Sequence, residues 1–559
     1  MSRIKMFLHG RFMPGGFQRR IPIRSLLLHL VAILPLYPAN YYVAPSGSDA
    51  NTGTLESPFL SLAHAHQQVA PGDTIYLRGG EYFPREKTVF SRQGEASAPI
   101  VLAAYPGEHP LINGRDIPEG NINHASTATW AFEGARHWKI NGPLTLTNGR
   151  GAGVYIADVR YLTFTGVESS YNGKRASRAA HGFMVWSGDD ILFENCDAHH
   201  NANHLWKEGE NQAENQYQHG DGWRIFSGAN IRLHGCRAWN NLDDNFDFYS
   251  ADQPIELMDA WAAYAGRDDA SGSITGIPGK SMPLLDPWDL LWGNGIKLGY
   301  WEDSVAHKVV RSLSWANNGA GFHMNLGPAV VWNSAAYGNK VRGFDYTDGD
   351  RHEMINNWAF GNAYEDPGYP LAEPDGSLSS HNSWEDDMGL TVSETDFASL
   401  EDSAMFGPRQ ADGGLPGVRF LTLNAGSSLI DAGLDVGLPF KGSAPDLGAF
   451  EAGDSLTALP GARKPPLPGR MAVVNYPNPF NPVTHIRIDL PVAAQVSAVI
   501  YDLAGRQVVR LFQGYRPAGR QQFSWNATGR NGRKVSGGVY FLTVRSAGHA
   551  KTVKLIYMP

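Results

Sequence analysis

The sequence predicts an all-β chain: a right-handed parallel β-helix followed by a small C-terminal immunoglobulin-like β-sandwich. Three observations lead there. A unit of about 22 residues recurs through the middle of the chain. With 63 Gly and 35 Pro, no long stretch keeps a 3.6-residue apolar period, which favours short strands joined by turns. From Met471 the pattern changes to alternating strands. At 559 residues the chain exceeds one ordinary core, so one large elongated domain and a smaller one are expected.

The repeat runs from about Trp138 to Asn362 and reads apolar-x-apolar-x-x-apolar, a polar turn with Asn, then Gly and an aromatic. Aligned, the units put Leu144, Val167, Cys196, Cys236, Ala260, Leu313, Ser334 and Asn357 at one position, with gaps of 23, 29, 40, 24, 53, 21 and 23 residues. Two large insertions interrupt the period. Five residues on, six units carry Asn: Asn172, Asn201, Asn241, Asn318, Asn339 and Asn362. One coil of a parallel β-helix has this length, and coils stacking at about 4.8 Å align like residues into ladders. Asn suits a turn ladder, because it tolerates left-handed backbone and its amide both donates and accepts. Leucine-rich repeats share the period, but their Leu spacing and helical segment are missing.

The ends are read from composition. Arg19, Arg20 and Arg24 precede the apolar run Leu26 to Leu36, then Pro38 and Ala39, the layout of a secretory signal peptide over residues 1–39. The run is too short to span a bilayer. The β-helix domain is assigned to residues 40–455, capped at its start by a short amphipathic stretch around Leu60 to Val69 and closed by SLIDAGLDVGLPFKGSAPDLGAFE. Residues 456–470 read as a stiff Pro-rich linker. The only two cysteines, Cys196 and Cys236, fall at one ladder position, where buried apolar side chains are favoured over a disulfide or metal pair. The last domain, residues 471–559, carries NYPNPFNP, YDLAGR and SGGVYFLTV in order. It resembles the sorting domain of proteins exported by the type IX secretion system, which implies that machinery as a partner and a secreted or cell-surface location.

A net charge of −8 without clustered Lys and Arg excludes wrapping of nucleic acid and opposes a polyanionic glycan unless a divalent cation intervenes. Asp221 stands in QHGDGWRIF, Asp243, Asp244 and Asp247 in NNLDDNFDFY, and Lys297 in WGNGIKLGY. Asp221 lies 15 residues before Cys236, Asp247 lies 13 before Ala260 and Lys297 lies 16 before Leu313, so all three fall near the start of one strand on consecutive rungs. Four carboxylates there would repel one another without a cation, and hard oxygen ligands suit Ca2+. His and Cys are absent from the cluster, which disfavours zinc. A lysine beside a cation and partly buried is expected below its ordinary pKa, as a base near neutral pH requires.

Asp-Gly-aromatic, GCRAWNN, DD-x-aromatic-D, GNG-x-KLG, TVSETDFASL and GPRQADGGLP, in this order, resemble the family 9 polysaccharide lyases, a group that includes calcium-dependent pectate lyases. The similarity runs over most of residues 41 to 452. It implies that Asp221, Asp243, Asp244 and Asp247 hold the calcium, that Lys297 removes the proton, and that the substrate is an acidic polysaccharide such as pectate, cut by a monomer through β-elimination. Two positions depart from the pattern: Asn245 replaces a Gly, and Phe226 replaces a Lys. Three rivals stay open: a glycoside hydrolase using two of the aspartates, a C5 epimerase, and a non-catalytic glycan-binding β-helix.

Overall fold

The computed structural model describes residues 38–558 apart from 119–126, 174–179, 203–219, 267–292, 300–304, 326, 347–351, 365–377, 454–470 and a few short stretches in the last domain. The expected signal peptide, save Pro38 and Ala39, and the expected linker at 456–470 therefore lie outside the described residues.

Aromatic and branched residues repeating once per coil build a parallel β-helix. One sheet has nine strands, among them Phe183–Val185, Trp223–Ile225, Phe246–Asp247, Ile296–Lys297 and Phe322–Asn325 in consecutive rungs. Its inward column stacks Phe183 on Trp223 at 4.9 Å and Trp223 on Phe246 at 5.0 Å, with rings nearly parallel. All three are fully buried. The other strands of the coils form a sheet of twenty, again with parallel pairing between successive coils. The helix Leu62–Gln68, capped by Ser61, buries Leu62 and Ala65 in the same core and so closes the first coil.

The expected Asn ladder exists, with one rung corrected. Asn172, Asn201 and Asn241 each donate Nδ2–H to the Oδ1 of the next asparagine at 2.8–2.9 Å, the last of them Asn245. The ladder resumes through Asn317, Asn339 and Asn362. Asn317, not Asn318, is the rung, because Leu313 pairs with Trp261 and Ala335. The position aligned with Ala260 is thus Ser312, whose amide donates to Ser334 Oγ. The intervening coil has Ala265 where Asn would stand. Asn245 fills that gap, donating to Ala263 O and Asn317 Oδ1. The residue that departs from the family pattern therefore keeps the buried amide chain continuous.

Cys196 and Cys236 are free, fully buried thiols. One outer face of the twenty-stranded sheet, along several successive coils, is covered by the segment from Phe397 to Phe450, whose Phe397, Met405, Phe420 and Leu447 pack in one cluster with Trp239, Trp261, Trp315 and Trp358. Arg237 and Arg409 both grip buried Asp197, and Arg237 also donates to the carbonyls of Met405 and Gly407.

His307 is a second buried polar group with a consequence. It is fully buried, accepts from the Ile255 amide, and burial pushes it down to about 4. A base with a depressed folded-state pKa stabilises fully above its unfolded value near 6.5 and loses that contribution as pH falls toward 4, on the order of 3 kcal/mol for this shift. By denaturant unfolding, His307→Gln should show a shallower fall in stability than the wild type between pH 6.5 and about 5, a comparison that removes the contributions of the other groups titrating there. Identical slopes for the two proteins would contradict the assignment.

The C-terminal domain is a seven-stranded antiparallel sandwich. Ala472–Tyr476, Thr484–Leu490 and Gly519–Trp525 face a sheet of Gln507–Arg516, Ala494–Asp502, Gly538–Ser546 and His549–Tyr557. Alternate residues such as Ile486, Ile488, Ile500, Leu542 and Leu555 fill the space between them.

Candidate active site

Two columns on the nine-stranded sheet carry the site. At the strand entrances, His181, Asp221 and Asp244 occupy successive rungs, since the Gly182 amide donates to Asp221 O and the Gly222 amide to Asp244 O. Asn294 follows, with the Asn245 amide donating to its carbonyl. Three residues farther on, Met184, Arg224, Asp247, Lys297 and His323 pair directly in register. Period-two alternation turns this second column away from the aromatic core.

The first column gathers acids. Asp221, Asp243 and Asp244 are buried, and one carboxylate oxygen from each lies within 4.8 Å of the others. Asp244 is the best held: it accepts from the Asn294 amide at 2.7 Å, from Asn294 Nδ2 at 2.9 Å and from Lys297 Nζ at 3.0 Å, while its own amide donates to Asp221 Oδ1. Burial would raise the Asp244 carboxyl, but Lys297 and the Asn294 donors outweigh it and hold it below the usual range. Asp221 goes the other way: burial and then the charge of Asp243 push it well above the usual carboxylate range. Its Oδ2 accepts no hydrogen bond, although His181 Nδ1 lies 3.1 Å away. A buried carboxylate oxygen without a donor, beside two more carboxylates, fits a hard divalent cation.

Asp247 lies apart from that group. Its Oδ2 is against Arg224 Nη1, and its Oδ1 accepts the Tyr249 amide at 2.8 Å. Lys297, with a mostly buried side chain, bonds Asp244 and stands over the Tyr249 ring at 5.2 Å. The expected depression of its pKa is not met by the protein groups themselves. Burial lowers it, but the charges of Asp244 and Asp243 prevail and raise it.

Three residues of the site escaped the sequence reading: His181, Arg224 and Asn294. A signal was available, because HGF, DGW, DNF and NGI each place a polar residue two positions before the stacked aromatic or Ile, at Phe183, Trp223, Phe246 and Ile296. Counting back from the ladder position hid this alignment, because the length of chain between this strand and the ladder varies from coil to coil: Asp221 lies 15 residues before Cys236 and Asp244 lies 16 before Ala260.

Residues 41–373 match the family described as Pel9A-like, right handed beta helix region, and residues 481–549 match the FlgD Ig-like domain. Pectate lyase L of Dickeya chrysanthemi is 28% identical over 440 residues, covering 74% of this chain and 90% of that protein. Pectate lyase PEL9 of Emericella nidulans is 29% identical over 405 residues, covering 68% and 92%. Among solved structures, pectate lyase Pel9A superposes with a TM-score of 0.59 at 26% identity over 74% of this chain and 96% of that one. A rhamnogalacturonan lyase at 21% identity and a TM-score of 0.54, covering 69% and 96%, shares the fold.

Proposed function

The chain belongs to the Pel9A-like right-handed β-helix family and is a polysaccharide lyase, and from that premise we propose that it cuts a uronic-acid glycan such as pectate by calcium-dependent β-elimination with Lys297 as the base. The observation that carries this reading is the contact of Lys297 with the acid group: a lysine bonded at 3.0 Å to one of three buried, mutually close carboxylates.

The proton on C5 of a uronate lies α to a carboxylate whose negative charge opposes carbanion formation. Calcium, held by Asp221, Asp243 and Asp244 with Asp247 as the fourth ligand, would supply the charge that neutralises that carboxylate. Asp247 joins the set only by giving up Arg224, which then faces the substrate as a second anchor for acidic groups. With its acid partners engaged elsewhere, Lys297 loses the interactions that raise its pKa, and its neutral amine can take the C5 proton. Loss of the C4 oxygen leaves a 4,5-unsaturated uronate at the new chain end. Export, with residues 471–559 acting as a type IX sorting domain, is part of the same proposal. It is supported by NYPNPFNP and SGGVYFLTV in a sandwich of the FlgD Ig-like class.

Purified protein is expected to generate the ultraviolet absorbance of an unsaturated uronate from pectate when calcium is present and to lose it under exhaustive chelation. Calcium should also raise the unfolding midpoint, by about 2.7 kcal/mol in stability at a hundredfold excess over its dissociation constant. Asp243→Ala should remove both effects together. Reducing ends without an unsaturated product would establish hydrolysis instead, and undiminished turnover after chelation would remove calcium from the mechanism.

A further inference from the structure

We infer that Trp186 and Phe226 form a stacking subsite for a neutral pyranose ring of the substrate chain, on the Asp221 rung and the rung before it. This rests on the lyase reading for its substrate, but on separate residues. Trp186 is 48% exposed, unusual for the largest apolar side chain. Its ring lies 4.9 Å from that of half-buried Phe226, on the next rung. Both remain in the ladder, the Trp186 amide donating to Ile156 O and the Phe226 amide to Val185 O. Phe226 packs on buried Tyr155 and Met184, and Trp186 rests against Phe226. The shelf therefore has a fixed base, which lowers the ordering entropy lost when a ligand lands.

The shelf is continuous with the active site. Phe226 follows Arg224 by two residues on the same strand face, with the guanidinium 5.0 Å from its ring. Arg224 pairs with Asp247 and Asp247 with Lys297, so by strand spacing the two rings lie about 10–14 Å from the Lys297 rung. A glycan lying along this face meets them within a few sugar units of the bond being cut.

Charge selects the neutral ring. Asp189 stands in the turn after Trp186 and accepts from the Ala229 amide, and Asp252, on the coil after that of Phe226, accepts from Ser227 Oγ and the Gly228 amide. Of the arginines described nearby, Arg160 is paired with Asp189, and Arg224 is directed toward Asp247, on the Lys297 side of the shelf. A uronate here would set its carboxylate against acids and the negative faces of two rings. A neutral pyranose instead presents its C–H face to the π surface and buries apolar area.

The test compares two polymers, homogalacturonate and one in which galacturonate alternates with a neutral deoxyhexose. On the alternating polymer Trp186→Ala should raise KM about tenfold with kcat changed less than about twofold, with a clearly smaller effect on homogalacturonate, and Trp186→Tyr should restore most of the loss. Equal effects on both polymers, or none, would overturn the subsite. A second readout stands apart from turnover: in affinity electrophoresis with the alternating polymer, Lys297→Ala should be retarded and Lys297→Ala/Trp186→Ala much less so. Absence of unsaturated product from the wild type would defeat the lyase reading while the retardation still decides the subsite, and equal retardation of the two variants would defeat the subsite alone.

Discussion

Lys297→Ala is expected to lower kcat on pectate by at least about 10³-fold, within the range that a positioned base contributes. Lys297 is the one lysine bonded to the acid group among the described residues, through Asp244 at 3.0 Å. Its side chain has two jobs that a mutation separates. It takes the proton, and it balances the charge of a fully buried carboxylate. Removing it should therefore also destabilise the protein, because Asp244 is left with only the Asn294 donors and the Asp221 side. Saturating calcium should restore that stability without restoring turnover, since the cation replaces the charge but not the base. Lys297→Arg separates the roles further: it keeps the charge and stays protonated at any workable pH, so it should be nearly as stable as the wild type and inactive. A Lys297→Ala variant retaining a tenth of wild-type kcat would transfer the role of base to another residue, such as His323 on the adjacent rung.

The second large effect lies away from the chemistry. Asp197→Ala is expected to destabilise the β-helix by about 3–5 kcal/mol, as breaking a buried ion pair from one side does. The carboxylate receives paired donors from both arginines, Arg237 at 2.8 and 2.7 Å and Arg409 at 3.1 and 2.6 Å. Burial opposes the charged form, yet the Arg409 and Arg237 charges prevail and hold the Asp197 carboxyl far below the usual range. With a folded-state pKa depressed in this way, its contribution is complete above the unfolded value of about 3.9 and disappears only as pH falls below it. Since Arg409 belongs to the segment that covers the Trp239–Trp358 face, the variant should release that segment first. Limited proteolysis at neutral pH should cut between 390 and 420 in Asp197→Ala and leave the wild type intact there. Urea midpoints within 1 kcal/mol of each other, by the usual conversion, would show that the pair is replaceable.

The two buried polar systems explain how a coil whose two cysteines are both free stays in register. Asn172 to Asn362 satisfy turn amides rung by rung, and each missing donor would strand the next acceptor in the interior. Asn245 shows the strength of that constraint. Its side chain is pulled inward to replace the amide that Ala265 lacks, although it sits between two acids of the site.

Periodicity and residue chemistry were enough to read the β-helix, the sandwich, the free cysteines, the Asn ladder and the closeness of Asp221, Asp243 and Asp244, because each depends on spacing along the chain. A coil's length appears directly as a repeat, and a strand's inward face as every second residue. Contacts across rungs are a different matter, because a slip of one residue turns a side chain to the opposite face. Spacing placed Asp247 beside Asp221, whereas parallel pairing set Asp244 there and sent Asp247 to Arg224. Spacing likewise suggested a lysine below its ordinary pKa, whereas the balance between burial and two neighbouring carboxylates raised it. The grip of Arg409 on Asp197, 212 residues away in the chain, left no local pattern at all. The sequence by itself determined which residues line each turn and strand, since that is local geometry repeated. Only the tertiary structure decided which charges meet, since their energies depend on distances of a few ångströms between rungs that large insertions separate in the chain.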